Sequence, residues 1–143
     1  PKGAPQPIDL CKVPGRGMTD TDYPSISVNS TSSLEDLSLK MGVQLNSRRF
    51  RGNIWISDLD PWMEFDLIGA VITIGDVDLE VIEPIKRCNA TKTNEKTGIR
   101  DADTLAALEK NFGHKNFGLY CKVVSSGSIK IGDRTKNFDI RQR

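Results

Sequence analysis

Histidine is almost missing from this chain: His114 is the only one in 143 residues. A cysteine–histidine nucleophilic pair with Cys88 therefore has no support in the sequence. His114 follows Gly113, a helix stop, and its expected use is as a cation capping the helix C-terminus. The three cysteines (Cys11, Cys88 and Cys121) are an odd number without C-x-x-C spacing, which argues against a disulfide framework or a structural zinc site. Aromatic residues make up 6% of the chain and no arginine-rich run occurs, so no nucleic-acid partner is expected. No apolar run approaches the roughly 18 residues that cross a bilayer, and the start shows no signal-peptide pattern. The expectation is a cytoplasmic protein with reduced thiols and no membrane partner. Flavin, haem and iron–sulfur motifs are absent as well.

Charge is present but unevenly placed. The net value of +1 combines 7 Lys+Arg against 13 Asp+Glu in residues 1–85 with 13 against 6 in residues 86–143. The basic segment opens at Lys86, two residues before Cys88. It fits either an anionic ligand near that thiol or a solvated surface facing the acidic half across the fold. The length predicts one domain with a proper core.

Residues 1–17, rich in Pro and Gly, read as an extended arm with one short strand near Ile8–Val13. Alternation predicts a strand at Ser25–Asn29. Ser32 followed by Glu35 reads as a capping box opening a helix through Met41, stopped by Gly42. Further strands are predicted at 51–57, 70–75, 78–87, 118–126 and 128–131, with a second helix capped by Asp101 or Asp103 and ended at Gly113. Many strands with two short inserted helices predict a mainly β protein, a closed or partly closed barrel.

Cys88 ends the apolar run Leu79–Ile85, directly after Lys86-Arg87. Two preceding cations favour thiolate, the form that attacks electrophiles, carries sulfur and binds soft metals. The alternative is a small buried hydrophobe, which is how Cys121, inside its strand, is read. In the segment Phe50–Ile56, alternation would put Arg51, Asn53 and Trp55 on one face: a donor fork and an amide suited to an anionic ligand, or an ordinary polar face in water. Gly52 would allow close approach of a ligand or strand. Arg48 and Arg49 read as surface charges, and Asp58, Asp60, Glu64 and Asp66 as a solvated acidic loop lacking calcium-loop spacing.

Taken together, Ser33–Leu37, Phe50-Arg51-Gly52-Asn53-Ile54, Ile68-Gly69, Ile74-Gly75, Arg87-Cys88-Asn89-Ala90-Thr91 with Thr97-Gly98, Thr104–Leu108, Phe117–Tyr120 and Ile129–Asp133 resemble, in order, the segments of a MOSC domain. This module occurs at the C-terminus of molybdenum cofactor sulfurases and in amidoxime-reducing components. The resemblance runs over about residues 18–135 and places the domain at 18–143. It implies a MOSC-type β-barrel with two or more short helices that binds the molybdenum cofactor, a pterin dithiolene. Cys88 inherits the role of molybdenum ligand or sulfur carrier and is the candidate catalytic residue. Arg51, Asn53 and Arg87 inherit contacts to the pterin or its phosphate, and Thr21 and Asp22 match a phosphate-contacting turn. Lys86 matches no fixed family residue. The implied function is reduction of N-hydroxylated or N-oxide compounds with electrons from an external redox protein. The alternatives are a Cys88 persulfide carrier served by a cysteine desulfurase, or a cofactor-binding module without turnover. Reductase members carry a preceding β-domain, matched here only by the arm, and sulfurase members a pyridoxal-phosphate domain. Any pyridoxal phosphate would therefore belong to a separate partner domain.

Overall fold

The structure, a computed structural model, describes residues 8–9 and 19–140. The chain runs β1 (Ile26–Ser30), α1 (Thr31–Met41), β2 (Ile54–Ile56), β3 (Ala70–Ile74), β4 (Val77–Lys86), α2 (Thr104–Phe112), β5 (Asn116–Ser125) and β6 (Thr135–Ile140). Single 3-10 turns lie at Ser47–Phe50, Met63–Leu67 and Asn89–Lys92. One six-stranded sheet has the order β2-β1-β5-β4-β3-β6. Only β1 and β2 pair in parallel, joined by the crossover through α1; every other pair is antiparallel. The sheet curls into a nearly closed barrel. Its two edge strands are tied by Asp58, just past β2, whose carboxylate accepts from the Thr135 N–H (2.6 Å) and hydroxyl (3.1 Å) at the start of β6. No described helix is long and apolar enough to cross a membrane.

Alternation builds the interior. Ala70, Ile72 and Ile74 of β3 and Val77, Leu79 and Val81 of β4 point inward with Val28, Leu119 and Cys121. A second apolar cluster joins Leu34 and Leu37 of α1 to Phe50, Leu108 and Phe117. Strand β4 outruns β3: beyond Glu80 it pairs only with β5, through register shifts around Val81–Lys86. Pro84, which has no N–H to give, sits in that irregular stretch. The overhang carries the chain out of the sheet at Lys86 and delivers Cys88 to the barrel's end.

Several boundaries differ from those predicted. Ser30, not Ser32, caps α1: its hydroxyl accepts from the Ser33 N–H at 3.3 Å, while Ser32 donates to the Leu59 carbonyl at 2.6 Å. Asp103 alone caps α2, accepting from the Ala106 N–H at 3.1 Å, because Asp101 is held by Arg49. Gly42 and Gly113 stop their helices as predicted, both left-handed. The strand predicted over 51–57 shrinks to Ile54–Ile56, since Arg51 itself is left-handed (φ 50°) and closes the Ser47–Phe50 turn. Residues 128–131 form no strand. The sixth strand is Thr135–Ile140, which pairs antiparallel with β3. The strand predicted near Ile8–Val13 lies largely outside the described residues. Glu64 is not in a solvated loop: it is fully buried in the Met63–Leu67 turn, accepting from the Ser33 hydroxyl at 2.8 Å. Burial pushes its carboxyl above the ordinary range.

Candidate functional site: the Cys88 cleft

At the end of β4 the Cys88 thiol is exposed, at the start of the Asn89–Lys92 turn. Thr91 secures that turn twice: its hydroxyl donates to the Cys88 carbonyl at 3.0 Å and lies 2.7 Å from the hydroxyl of Thr104, at the start of α2. Cys88 opens onto a polar cleft of about 420 Å³. Arg51, Asn53 and Arg87 line the same cleft, so the fold brings all four predicted site residues together. Cys121 is fully buried, its thiol pushed up to about 12 by desolvation, and is inert as expected.

Arg87 turns inward from β4 to the cleft floor. Its Nε donates to the Phe117 carbonyl and Nη1 to the Phe50 carbonyl, both at 2.7 Å, and Nη2 to Asn29 Oδ1 at 2.9 Å. The guanidinium lies over the rings of Phe50 and Phe117, 5.5 and 5.8 Å from their centroids. Desolvation pulls its pKa down to about 10, so it stays charged at neutral pH. Among the described residues no carboxylate is within ion-pair distance of it. Its other anchor, Asn29, is fully buried and packed against two glycines. A Cβ at Gly118 would fall 1.9 Å from Asn29 Oδ1, and one at Gly52 2.2 Å from Nδ2. The close approach predicted at Gly52 is thus that of a neighbouring strand.

Arg51 and Asn53 do not share a strand face; they reach the cleft from the irregular link between the Ser47–Phe50 turn and β2. Asn53 Oδ1 is taken by β1, accepting from the Ser27 N–H at 2.9 Å and hydroxyl at 2.8 Å, which leaves its NH2 for a ligand. Thr19 and Asp20, rather than Thr21 and Asp22, line the cleft. The Thr21 hydroxyl bonds within its own turn, to the Tyr23 carbonyl and Ser25. Lys86 and Tyr120 line the cleft too. So does Arg49, predicted as a surface charge: its side chain is 6% exposed and its Nη2 meets Asp101 at 2.6 Å. His114 stands apart, packed on Phe65 and Phe112, with Nδ1 accepting from the Asn116 N–H at 3.1 Å.

Four cations thus line the cleft, Arg49 paired with Asp101 and Arg51, Lys86 and Arg87 without an ion pair among the described residues, against one lining carboxylate, Asp20. Such a lining selects an anion. Among the described residues no cluster of three His, Cys, Asp or Glu side chains exists to cage a metal. A metal held at Cys88 would have to arrive with most of its ligands.

The chain is similar to known proteins over most of its length. Mitochondrial amidoxime reducing component 2 of Bos taurus is 29% identical over 129 residues, covering 78% of this chain and 36% of its own length. Molybdenum cofactor sulfurase of Drosophila pseudoobscura pseudoobscura is 30% identical over 100 residues, covering 69% of this chain and 12% of its own. The chain therefore spans only about a third or less of these curated relatives. The crystal structure of YiiM from Geobacillus stearothermophilus shares the fold, with a TM-score of 0.57 at 21% identity, over 77% of this chain and 52% of that one. Residues 18–136 match the profile described as MOSC domain, and the chain belongs to the MOSC domain family.

Proposed function

We propose that the Cys88 cleft binds the molybdenum cofactor, with the Cys88 thiolate as the protein ligand to molybdenum, in a reductase of N-hydroxylated or N-oxide compounds. The observation that carries this reading is the exposed soft thiol beside a cleft with four cations and one carboxylate. Arg87 supplies a fixed positive charge from below, and Arg51 and the Asn53 NH2 supply donors at the wall, suited to the phosphate and heteroatoms of a pterin. When bound, the cofactor would supply a redox metal able to pass an electron pair to an N–O bond. The net change is R–NH–OH plus two electrons and two protons giving R–NH2 and water. The electrons come from an external redox protein. The relatives named for amidoxime reduction and for cofactor sulfuration support the association with this cofactor.

Exposure of Cys88 on a turn outside the sheet also favours a second reading, in which the thiol carries a persulfide delivered by a cysteine desulfurase. Elemental analysis and intact mass of protein from a cofactor-making host, beside Cys88→Ala, separate the two. Molybdenum in the native chain and its loss in the variant supports ligation. A sulfur increment confined to Cys88 without metal supports the carrier. Metal retained at the native level in Cys88→Ala refutes Cys88 as ligand, and bound cofactor without turnover under a supplied donor leaves a binding module.

A further inference from the structure

The cleft has two walls built from chain segments far apart in sequence. One is the Ser47–Phe50 turn, which ends at the left-handed Arg51. The other is the segment from Cys88 to Asp103, where the only regular structure is the Asn89–Lys92 turn and an isolated bridge between Thr93 and Arg100. The second wall has no ladder to the sheet, so its position depends on side-chain ties.

Arg49 makes the tie between the walls. Its Nη1 donates to the Lys92 carbonyl at 3.1 Å and its Nη2 to Asp101 Oδ1 at 2.6 Å. Asp101 is fixed in turn by Asn94 Nδ2 on its other oxygen at 2.7 Å, and its own N–H returns to the Lys92 carbonyl at 3.1 Å. These bonds hold the Asp101 carboxyl below the ordinary range, Asn94 first and Arg49 next. The Nε of Arg49 is buried with no partner. A buried guanidinium with an orphan donor adds little net stability; what the fork does provide is a fixed geometry. Arg49 is two residues from Arg51, and Lys92 four from Cys88, so its fork fixes how far the Arg51 cation stands from the thiol.

We propose that Arg49 is a positioning residue of the cleft: its fork onto Lys92 and Asp101 holds Cys88 and Arg51 at their working separation. The inference rests on the reading of Cys88 and Arg51 as site residues, but its test uses no cofactor. In a Cys11→Ser background Cys88 is the exposed thiol and Cys121 is buried. The same thiolate attacks the CH2 carbon of iodoacetate, an anion, and of neutral iodoacetamide, displacing iodide, so the ratio of the two rates cancels thiol ionisation and reports the cationic field at the sulfur. Arg51→Ala gives the benchmark fall in that ratio. Arg49→Lys keeps the charge and loses the fork. Asp101→Ala removes a negative charge from an exposed position, which by charge alone would raise the ratio. If Arg49 positions the walls, both variants, folded by circular dichroism, lower the ratio by about two- to threefold at low salt, as expected when a unit charge moves several ångströms away. A ratio in Asp101→Ala at or above the native value, or a native ratio in Arg49→Lys, overturns the proposal. Neither result bears on whether molybdenum binds.

Discussion

Gly118 offers the sharpest quantitative test of how the cleft floor is held. Its φ of +76° places it in the left-handed region, and a Cβ there would lie 1.9 Å from Asn29 Oδ1, 2.9 Å from Asn29 Cγ and 3.0 Å from the Val28 carbonyl. Alanine at this position meets three costs. The left-handed backbone costs about 1–2 kcal/mol with a Cβ. Forcing an atom into filled space adds about 1–3 kcal/mol. Displacing Asn29 also breaks its bond with the buried Arg87, a charge-assisted contact contributing about 1.5–3 kcal/mol. The costs overlap, because moving Asn29 relieves the clash; a net loss of about 3–5 kcal/mol is expected, a large share of a typical domain's stability. Gly98 is the internal control: its φ is +70°, yet nothing lies within 4 Å of a Cβ placed there. Gly98→Ala should therefore cost about 1–2 kcal/mol, the backbone term alone. The assay is equilibrium urea unfolding of the native chain and both variants. If Gly118→Ala unfolds within about 1 kcal/mol of Gly98→Ala, the packing of Asn29 between Gly52 and Gly118 is not what fixes Arg87.

Glu64 carries a raised carboxyl pKa from burial, so its neutral form favours the fold: that contribution is complete below the ordinary carboxylate range and is lost as pH rises through the folded value. Glu64→Gln should remove this dependence, gaining on the native chain in melting temperature as pH rises from below the ordinary carboxylate range; a constant difference over the whole rise would contradict it. Arg87→Lys keeps the charge, but one ammonium group cannot replace the fork that serves Phe117, Phe50 and Asn29 together. It should lower unfolding stability by about 2–3 kcal/mol, read by urea titration, and a change within about 0.5 kcal/mol would show that the floor does not depend on the fork.

How much of this was legible beforehand follows from the range of each signal. Helix stops at Gly42 and Gly113, the alternation of β3 and β4, the inert Cys121 and the delivery of Cys88 at the end of an apolar strand depend on neighbours a few residues apart, and they could be read directly. The segment Phe50–Ile56 already offered Arg51 and Asn53 as ligand donors, the family's ordered segments gave them and Arg87 a role, and the fold gathers all three around one cleft. Local rules failed where long-range contacts decided. A left-handed Arg51 broke the strand alternation expected through Trp55. Ser30 displaced Ser32 as the cap, two residues earlier.

The sequence by itself determined the β-rich class, the helix stops at Gly42 and Gly113 and the chemical character of a cysteine that leaves its strand among cations. Tertiary structure alone decided that Arg49 is buried and that Glu64 is enclosed. It also decided that Arg87 points under the cleft, and that Thr135–Ile140 rather than residues 128–131 pairs with β3. The contacts responsible join residues 52 apart for Arg49 with Asp101, 31 for Glu64 with Ser33 and 58 for Arg87 with Asn29. A charged side chain reads the same in sequence whether it meets water or a buried partner; only the folded chain brings that partner within hydrogen-bond reach.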